Sequence, residues 1–384
     1  MGLSVGASVV IARYYGGRDV VSLRKAEHTA MTMALIVGVA VGIFGFLAAR
    51  PMLQLMDSPE DVIDGAALYV RIYFLGMPAN MLYNFGAGVL RAVGDTKRPM
   101  YYLIVAGMIN VLLNLLLVIV FHLDVAGVAI ATVASQVISA ALVLMCLFRS
   151  RSVIHLNLQE CRIDRKSMRE IIRIGLPAGL QGSLFSISNV LIQSSVNSFG
   201  SLVVAGNGVA SNLEGFVYTS MNAQHQAAMT FASQNYGAGK ADRVRKTLWC
   251  CLGSVTVIGL VMGLLFRLFG PQLMSLYNSE PEVIANGLVR MDIIMPTYFL
   301  CGLMDVMVGE LRGIGFSVMP MIVSLTGACL LRIVWILTVF AADHSLTVLY
   351  LSYPVSWFVT FAIHFLCYCT AGRKRLRQLE EQAA

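Results

Sequence analysis

The chain has 384 residues, 57% of them hydrophobic and 13% charged, with a formal net charge of +7. A soluble domain carries about 25% charged residues, so a water-facing globule is excluded and lipid must be the solvent for most of this surface. The positive balance does not point to nucleic acid, because the basic residues sit in short loops between apolar runs, where they act as topology signals.

The first apolar run, Met1–Ala12, is too short to span at about 1.5 Å per residue. No basic residue precedes it and no processing site follows, so it does not have the form of a cleaved signal peptide. About 20 apolar residues cross the hydrocarbon core. Ten segments have that length, near residues 30–49, 68–90, 100–121, 125–148, 174–198, 202–233, 247–270, 288–311, 318–341 and 346–370. Alternate connections, from Arg13–Lys25 through Arg91–Arg98, Arg149–Arg173, Lys240–Lys246 and Arg312 to the tail Arg373–Arg377, collect 23 of the 28 basic residues. The opposite side holds Arg50, Arg71, Arg267 and Arg290, and is acidic through Asp57, Glu60, Asp61, Asp64, Asp124, Glu280, Glu282 and Asp343. Basic loops stay on the cytoplasmic side, which places the C-terminus in the cytoplasm of a multi-pass cell-membrane protein. None of the eight cysteines has metal-ligand or CxxC spacing, so they are expected to be packed thiols.

The sequence repeats itself. Tyr14–Lys25, YYGGRDVVSLRK, matches Asn235–Lys246, NYGAGKADRVRK, and Leu90–Met100, LRAVGDTKRPM, matches Leu311–Met321, LRGIGFSVMPM, both at an offset of 221 residues. Met77-Pro78 is echoed, with a small gap, by Met295-Pro296. Internal repeats are the usual sign of a transporter fold, and both copies put their basic loops on one side, as parallel repeats do. The expected organisation is a first bundle over 1–150, a cytoplasmic linker over 151–172, a second bundle over 173–372 and a tail over 373–384. Subtracting the offset from the start of the second copy leaves roughly 50 residues of the first without a counterpart, so the first bundle is expected to lack one helix and most of another.

These motifs, with ASQNYGAGKADRVRK and GLPAGLQGSLFSISNVLIQSSVNSFG, resemble the MATE family of multidrug and toxic compound extrusion antiporters over essentially the whole chain. The resemblance implies an all-α membrane protein of two six-helix bundles around a central cavity. It implies export of an organic, often cationic, compound against an inward flow of sodium ions or protons, by alternating access. No cofactor is expected besides that coupling ion, and the expected state is a monomer without nucleic acid.

Ionisable groups inside a membrane are costly and so mark function. Glu214, flanked by Leu213 and Gly215, and Asp305 lie mid-span and are the expected coupling carboxylates; a cation and a competing substrate would contend for one charge. Glu310 lies five residues beyond Asp305, on another face of the helix, and an ion pair with Arg312 or a loop base is the expectation there. Asn110 and Asn114 share a face. The family often has Asn and then Asp at this spacing, with a Thr at the position of Thr132, around a cation site in the first bundle; here position 114 is Asn, and helix–helix hydrogen bonding competes with that reading. Gln181, Ser188 and Asn189 recur at helical spacing, with Ser186, Gln193 and Asn197 on a second stripe, and Phe185 stands near where some relatives carry Glu. The expected cavity set is Gln181, Ser188, Asn189, Gln193 and His225, although a lone membrane histidine is also a common helix contact.

Two rivals remain open. A flippase for lipid-linked sugars, in the same superfamily, would line its cavity with several basic residues, whereas Arg332 is the one basic residue expected deep in a span. A remnant lacking its first helix would expose polar groups to lipid and need not transport. An enzyme is not expected: there is no nucleophile–His–carboxylate set, HExxH or phosphate loop.

Overall fold

The computed structural model describes residues 2–55 and 60–383 and is all-helical, with no strand among the described residues. Asp57, assigned above to the acidic side, lies outside them. Each of the ten apolar segments falls on helix, and the short first run is α1, Gly2–Gly16. Then come α2 (Val20–Leu55), α3 (Glu60–Leu75), α4 (Met77–Ala92), α5 (Lys97–Asn114) and α6 (Asp124–Arg149), followed by α7 (Arg165–Asn197), α8 (Ser201–Gly237) and α9 (Ala241–Leu268). The short α10 (Gly270–Ser275) leads into α11 (Pro281–Gly313), α12 (Val318–Ser324), α13 (Leu331–Trp335), α14 (Leu346–Cys367) and the terminal α15 (Arg373–Ala383). Seven spans are long and apolar enough to cross a bilayer, or eight with α3 and α4, which bend by 44° at Gly76. The ten-span expectation exceeds this because α7 and α8 have the length but carry too many polar residues to pass on hydropathy.

The chain divides into two compact units, Leu3–Gly175 and a second from Leu176 onward. Within each, the repeat seen in the sequence recurs as backbone geometry. After α4, Gly94 has φ +94° and its N–H reaches the Arg91 carbonyl at 2.9 Å; after α11, Gly315 has φ +99° and its N–H reaches the Arg312 carbonyl at 2.9 Å. Left-handed φ at a helix end is the conformation for which glycine is chosen. Before α2, Arg18 sits at φ +56° with its N–H 3.1 Å from the Tyr15 carbonyl; before α9, Gly239 sits at φ +72° with its N–H 3.1 Å from the Tyr236 carbonyl.

A stripe of small residues recurs at the same offset. In unit 1, a Cβ at Gly38 would lie 2.7 Å from Pro78 Cα and one at Gly42 would lie 2.9 Å from the Phe74 carbonyl. In unit 2, a Cβ at Gly259 would lie 2.7 Å from Phe299 Cα, and one at Gly263 would collide with the Met295 carbonyl. Lipid offers no hydrophobic drive between helices, so close backbone approach through small residues supplies the packing. The Met-Pro pairs of the sequence repeat thus sit on the helices that these stripes grip.

The linker does not float. Glu27, His28 and Thr29, at most 3% exposed, accept the backbone N–H groups of His155, Asn157 and Asp164 at 3.2, 3.0 and 3.0 Å. Asp164 in turn caps α7, accepting from the Ser167 N–H at 2.8 Å and its hydroxyl at 2.9 Å.

Candidate functional site

Unit 2 contains a cavity of 520 Å³ with both predicted mid-span carboxylates, Glu214 and Asp305, on its wall. Glu214 comes from α8 and Asp305 from α11; Arg290 of α11 and Arg332 of α13 complete the charged lining.

Glu214 is not the open carboxylate expected. Arg290 Nε and Nη2 donate to its two oxygens at 2.6 and 2.7 Å, a bidentate pair with both residues at most 6% exposed. Asn207 extends the network: its Oδ1 accepts from Arg290 Nη1 at 2.7 Å and from the Tyr350 hydroxyl at 3.2 Å, and its Nδ2 donates to Gln193 Oε1 at 3.0 Å. Charge-assisted bonds of this kind are the strong ones, so this end of the cavity presents a neutralised, hydrogen-bonded floor.

Asp305 differs. It is half-buried on the cavity wall and makes no ion pair among the described residues. Glu310, one and a half turns further along α11, is fully buried, and neither carboxyl oxygen has a hydrogen-bond partner. The expected ion pair with Arg312 is therefore not made, because Arg312 Nη2 donates to Gln181 Oε1 at 2.7 Å instead.

The basic residues also depart from expectation. Arg332 is buried, but so are Arg290 and Arg312, at 5% and 6% exposure. Arg290, placed above at the outer end of its span, lies inside α11 because that helix begins at Pro281, about two and a half turns earlier. Arg332 Nε donates to Ser356 Oγ at 2.8 Å, and its guanidinium sits 4.3 Å from the Tyr353 ring centroid and 5.7 Å from that of Trp357.

The expected cavity set divides. Asn189 and Gln193 line the cavity together with Ser186 and Phe185. Gln181 and Ser188 are buried and are not among its lining residues, since α7 turns them away from that wall. Asn189 therefore belongs to the Ser186–Gln193 stripe, not to the stripe of Gln181 and Ser188. His225 is likewise not a lining residue: its Nδ1 lies 2.6 Å from the backbone carbonyl of Asp305, so it is a helix contact between α8 and α11. Sequence reasoning missed Arg290, Asn207 and Tyr353. The signal for Arg290 was a charge inside an apolar run; the other two carry no signal without their partners.

In unit 1, Asn114 Nδ2 donates to Asn110 Oδ1 at 3.1 Å and Asn110 Nδ2 to Ser135 Oγ at 3.4 Å. Thr132 turns its hydroxyl to the Val128 carbonyl at 2.9 Å. The two amides are thus linked, as their spacing predicted, and Thr132 is engaged with its own helix. No cluster of His, Cys, Asp or Glu that could hold a metal exists among the described residues.

The sequence pattern of the MatE family matches residues 1–116 and 177–338. A probable multidrug resistance protein of Bacillus subtilis, YoeA, is 31% identical over 335 residues, covering 85% of this chain and 72% of its own. A second from the same organism, YpnP, is 28% identical over 332 residues, covering 86% and 74%. Among solved structures, one described as the outward-facing conformation of a multidrug resistance MATE family transporter superposes with a TM-score of 0.91 at 21% identity, covering 99% of this chain and 84% of that one.

Proposed function

The chain belongs to the MatE family of membrane transporters, and from that premise we propose that it is a secondary antiporter, exporting organic, drug-like compounds, cations among them, in exchange for sodium ions or protons. It is a multi-pass transporter rather than an enzyme. The drug-like substrate class is supported by its two Bacillus subtilis relatives, both described as probable multidrug resistance proteins. We propose a monomer in the cell membrane, and the distribution of basic loops supports a cytoplasmic C-terminus.

One observation carries the coupling assignment: Asp305 is the cavity carboxylate without an ion pair, whereas Glu214 is held by Arg290. A proton or sodium ion on Asp305 removes the charge that an organic cation needs, so the two ligands exclude each other. Each then favours a different access state, and the differential affinity drives exchange. Glu214 joins this competition only in a state where Arg290 releases it. The amides of Asn110 and Asn114 and the hydroxyl of Thr132 bring no charge, so unit 1 contributes at most a weak neutral site.

Asp305→Asn tests the assignment. Reconstituted wild-type protein should expel ethidium when a proton or sodium gradient is imposed, and its ethidium affinity should fall as the coupling ion is added. The variant should lose gradient-driven export, and its residual binding should no longer respond to the ion. Export by the variant at the wild-type rate would remove Asp305 from coupling.

A further inference from the structure

We infer that the unit 2 cavity also takes aromatic organic acids, with the Arg332 guanidinium selecting the acidic end; this rests on the transport reading above and names a substrate class for it.

The charges on the wall do not cancel locally. Arg290 uses all three of its donor nitrogens, two on Glu214 and one on Asn207. Arg332 is as deeply buried, at 4% exposure, yet has no carboxylate partner among the described residues; its one hydrogen bond goes to the neutral Ser356 hydroxyl. A buried charge is costly unless paired, and the face of Tyr353, as a cation–π partner, offsets only part of that cost. An incoming carboxylate or phosphate would complete the site. The planar fork of arginine matches such groups with two parallel N–H bonds.

The surroundings fit a flat, apolar body attached to that acid. Trp357 lies 5.2 Å from the Tyr298 ring and 5.7 Å from the Tyr353 ring, centroid to centroid. All three rings, and Phe185 from α7, line the cavity. Its 520 Å³ falls within the range of roughly 300–1,000 Å³ that holds drug-sized ligands. With the Glu214–Arg290 pair self-neutralised, the wall offers one unpaired anion, Asp305, and one unpaired cation, Arg332. The same chamber thus selects a cationic aromatic through the first and an acidic one through the second.

Fluorescein and ethidium, an aromatic anion and an aromatic cation, separate these cases in equilibrium anisotropy titrations of the purified full chain. Wild-type protein should bind both, each displacing the other. Arg332→Gln should weaken fluorescein at least tenfold more than ethidium, and Arg332→Lys should recover part of that loss. If Arg332→Gln does not give a monodisperse protein, the wild-type competition and the lysine variant decide. Failure of fluorescein to bind wild-type protein or to displace ethidium, or equal weakening of both dyes in the arginine variants, overturns the inference while leaving ion-driven ethidium export standing. Arg332-dependent fluorescein binding without any gradient-driven export of either dye would sink the antiporter reading and leave this one.

Discussion

Replacing Glu214 by Gln strips the carboxylate from a bidentate pair and leaves Arg290 buried with neutral acceptors alone, Asn207 and the new amide oxygen, and two tyrosine faces at 5.2 and 5.5 Å. Two opposite charges about 4 Å apart attract by about 4 kcal/mol at an effective dielectric of 20. Removing one partner of a buried pair typically costs about 3–5 kcal/mol, because the other charge stays desolvated. We expect a loss in that range for unit 2, and therefore a melting temperature lower by on the order of 10 °C, at roughly 2–4 °C per kcal/mol for a unit of this size. The assay is thermal unfolding of detergent-purified protein followed by near-UV circular dichroism. The double variant Glu214→Leu with Arg290→Met should recover most of the loss, since well-packed apolar replacements of buried pairs are near neutral. An unchanged melting temperature for the single variant, or a double variant no better than it, would refute the claim that this pair holds α8 to α11.

Two further outcomes follow from the packing and from the linker. Gly263→Leu should abolish a folded, monodisperse protein, because even a Cβ there meets the Met295 backbone; size-exclusion chromatography in detergent reads it, and a sharp wild-type peak would contradict the close approach of α9 to α11. Asp164→Ala should cost about 1 kcal/mol as a lost helix cap, read by chemical unfolding. The Ser167 N–H, and after it the Ser167 hydroxyl, hold the Asp164 carboxyl below its usual 3.8. A depressed folded value contributes stability above the unfolded one and loses it as pH falls through the folded value. The gap between wild type and variant should therefore be full near neutral pH and close below about pH 4; a gap that persists in acid would assign it to something other than the carboxylate.

Much of the architecture is legible in the chain because bilayers impose a single length on apolar runs and because the two repeats share one offset. The lengths of the apolar runs located the spanning helices but neither the short α10 nor the helical tail α15, and LRAVGD and LRGIGF mark the two glycine turns that the backbone repeats. The site is legible only as far as single residues carry the signal. Asp305 stands out as an intramembrane carboxylate and does lie on the cavity wall. Glu214 stands out for the same reason, but its partner is 76 positions away, and no local pattern announces such a pairing. Arg290 was visible and misplaced, because hydropathy blurs where α11 starts. Asn189 was assigned to the wrong stripe for a simpler reason: one residue is about 100° of helix, enough to exchange a cavity wall for a buried face.

The turn at Arg18 and its counterpart at Gly239 hold one backbone shape with two unlike side chains. A non-glycine residue in that corner carries roughly 1–2 kcal/mol of steric cost, so in the first copy the shape is kept by its hydrogen bonds, not by the residue that sits in it. Form has here outlasted spelling. A comparison of the two halves letter by letter scores this position as divergence, while the carbonyl-to-amide distances score it as identity at 3.1 Å in both. Kinship between such halves is accordingly better measured on their corners than on their alphabets.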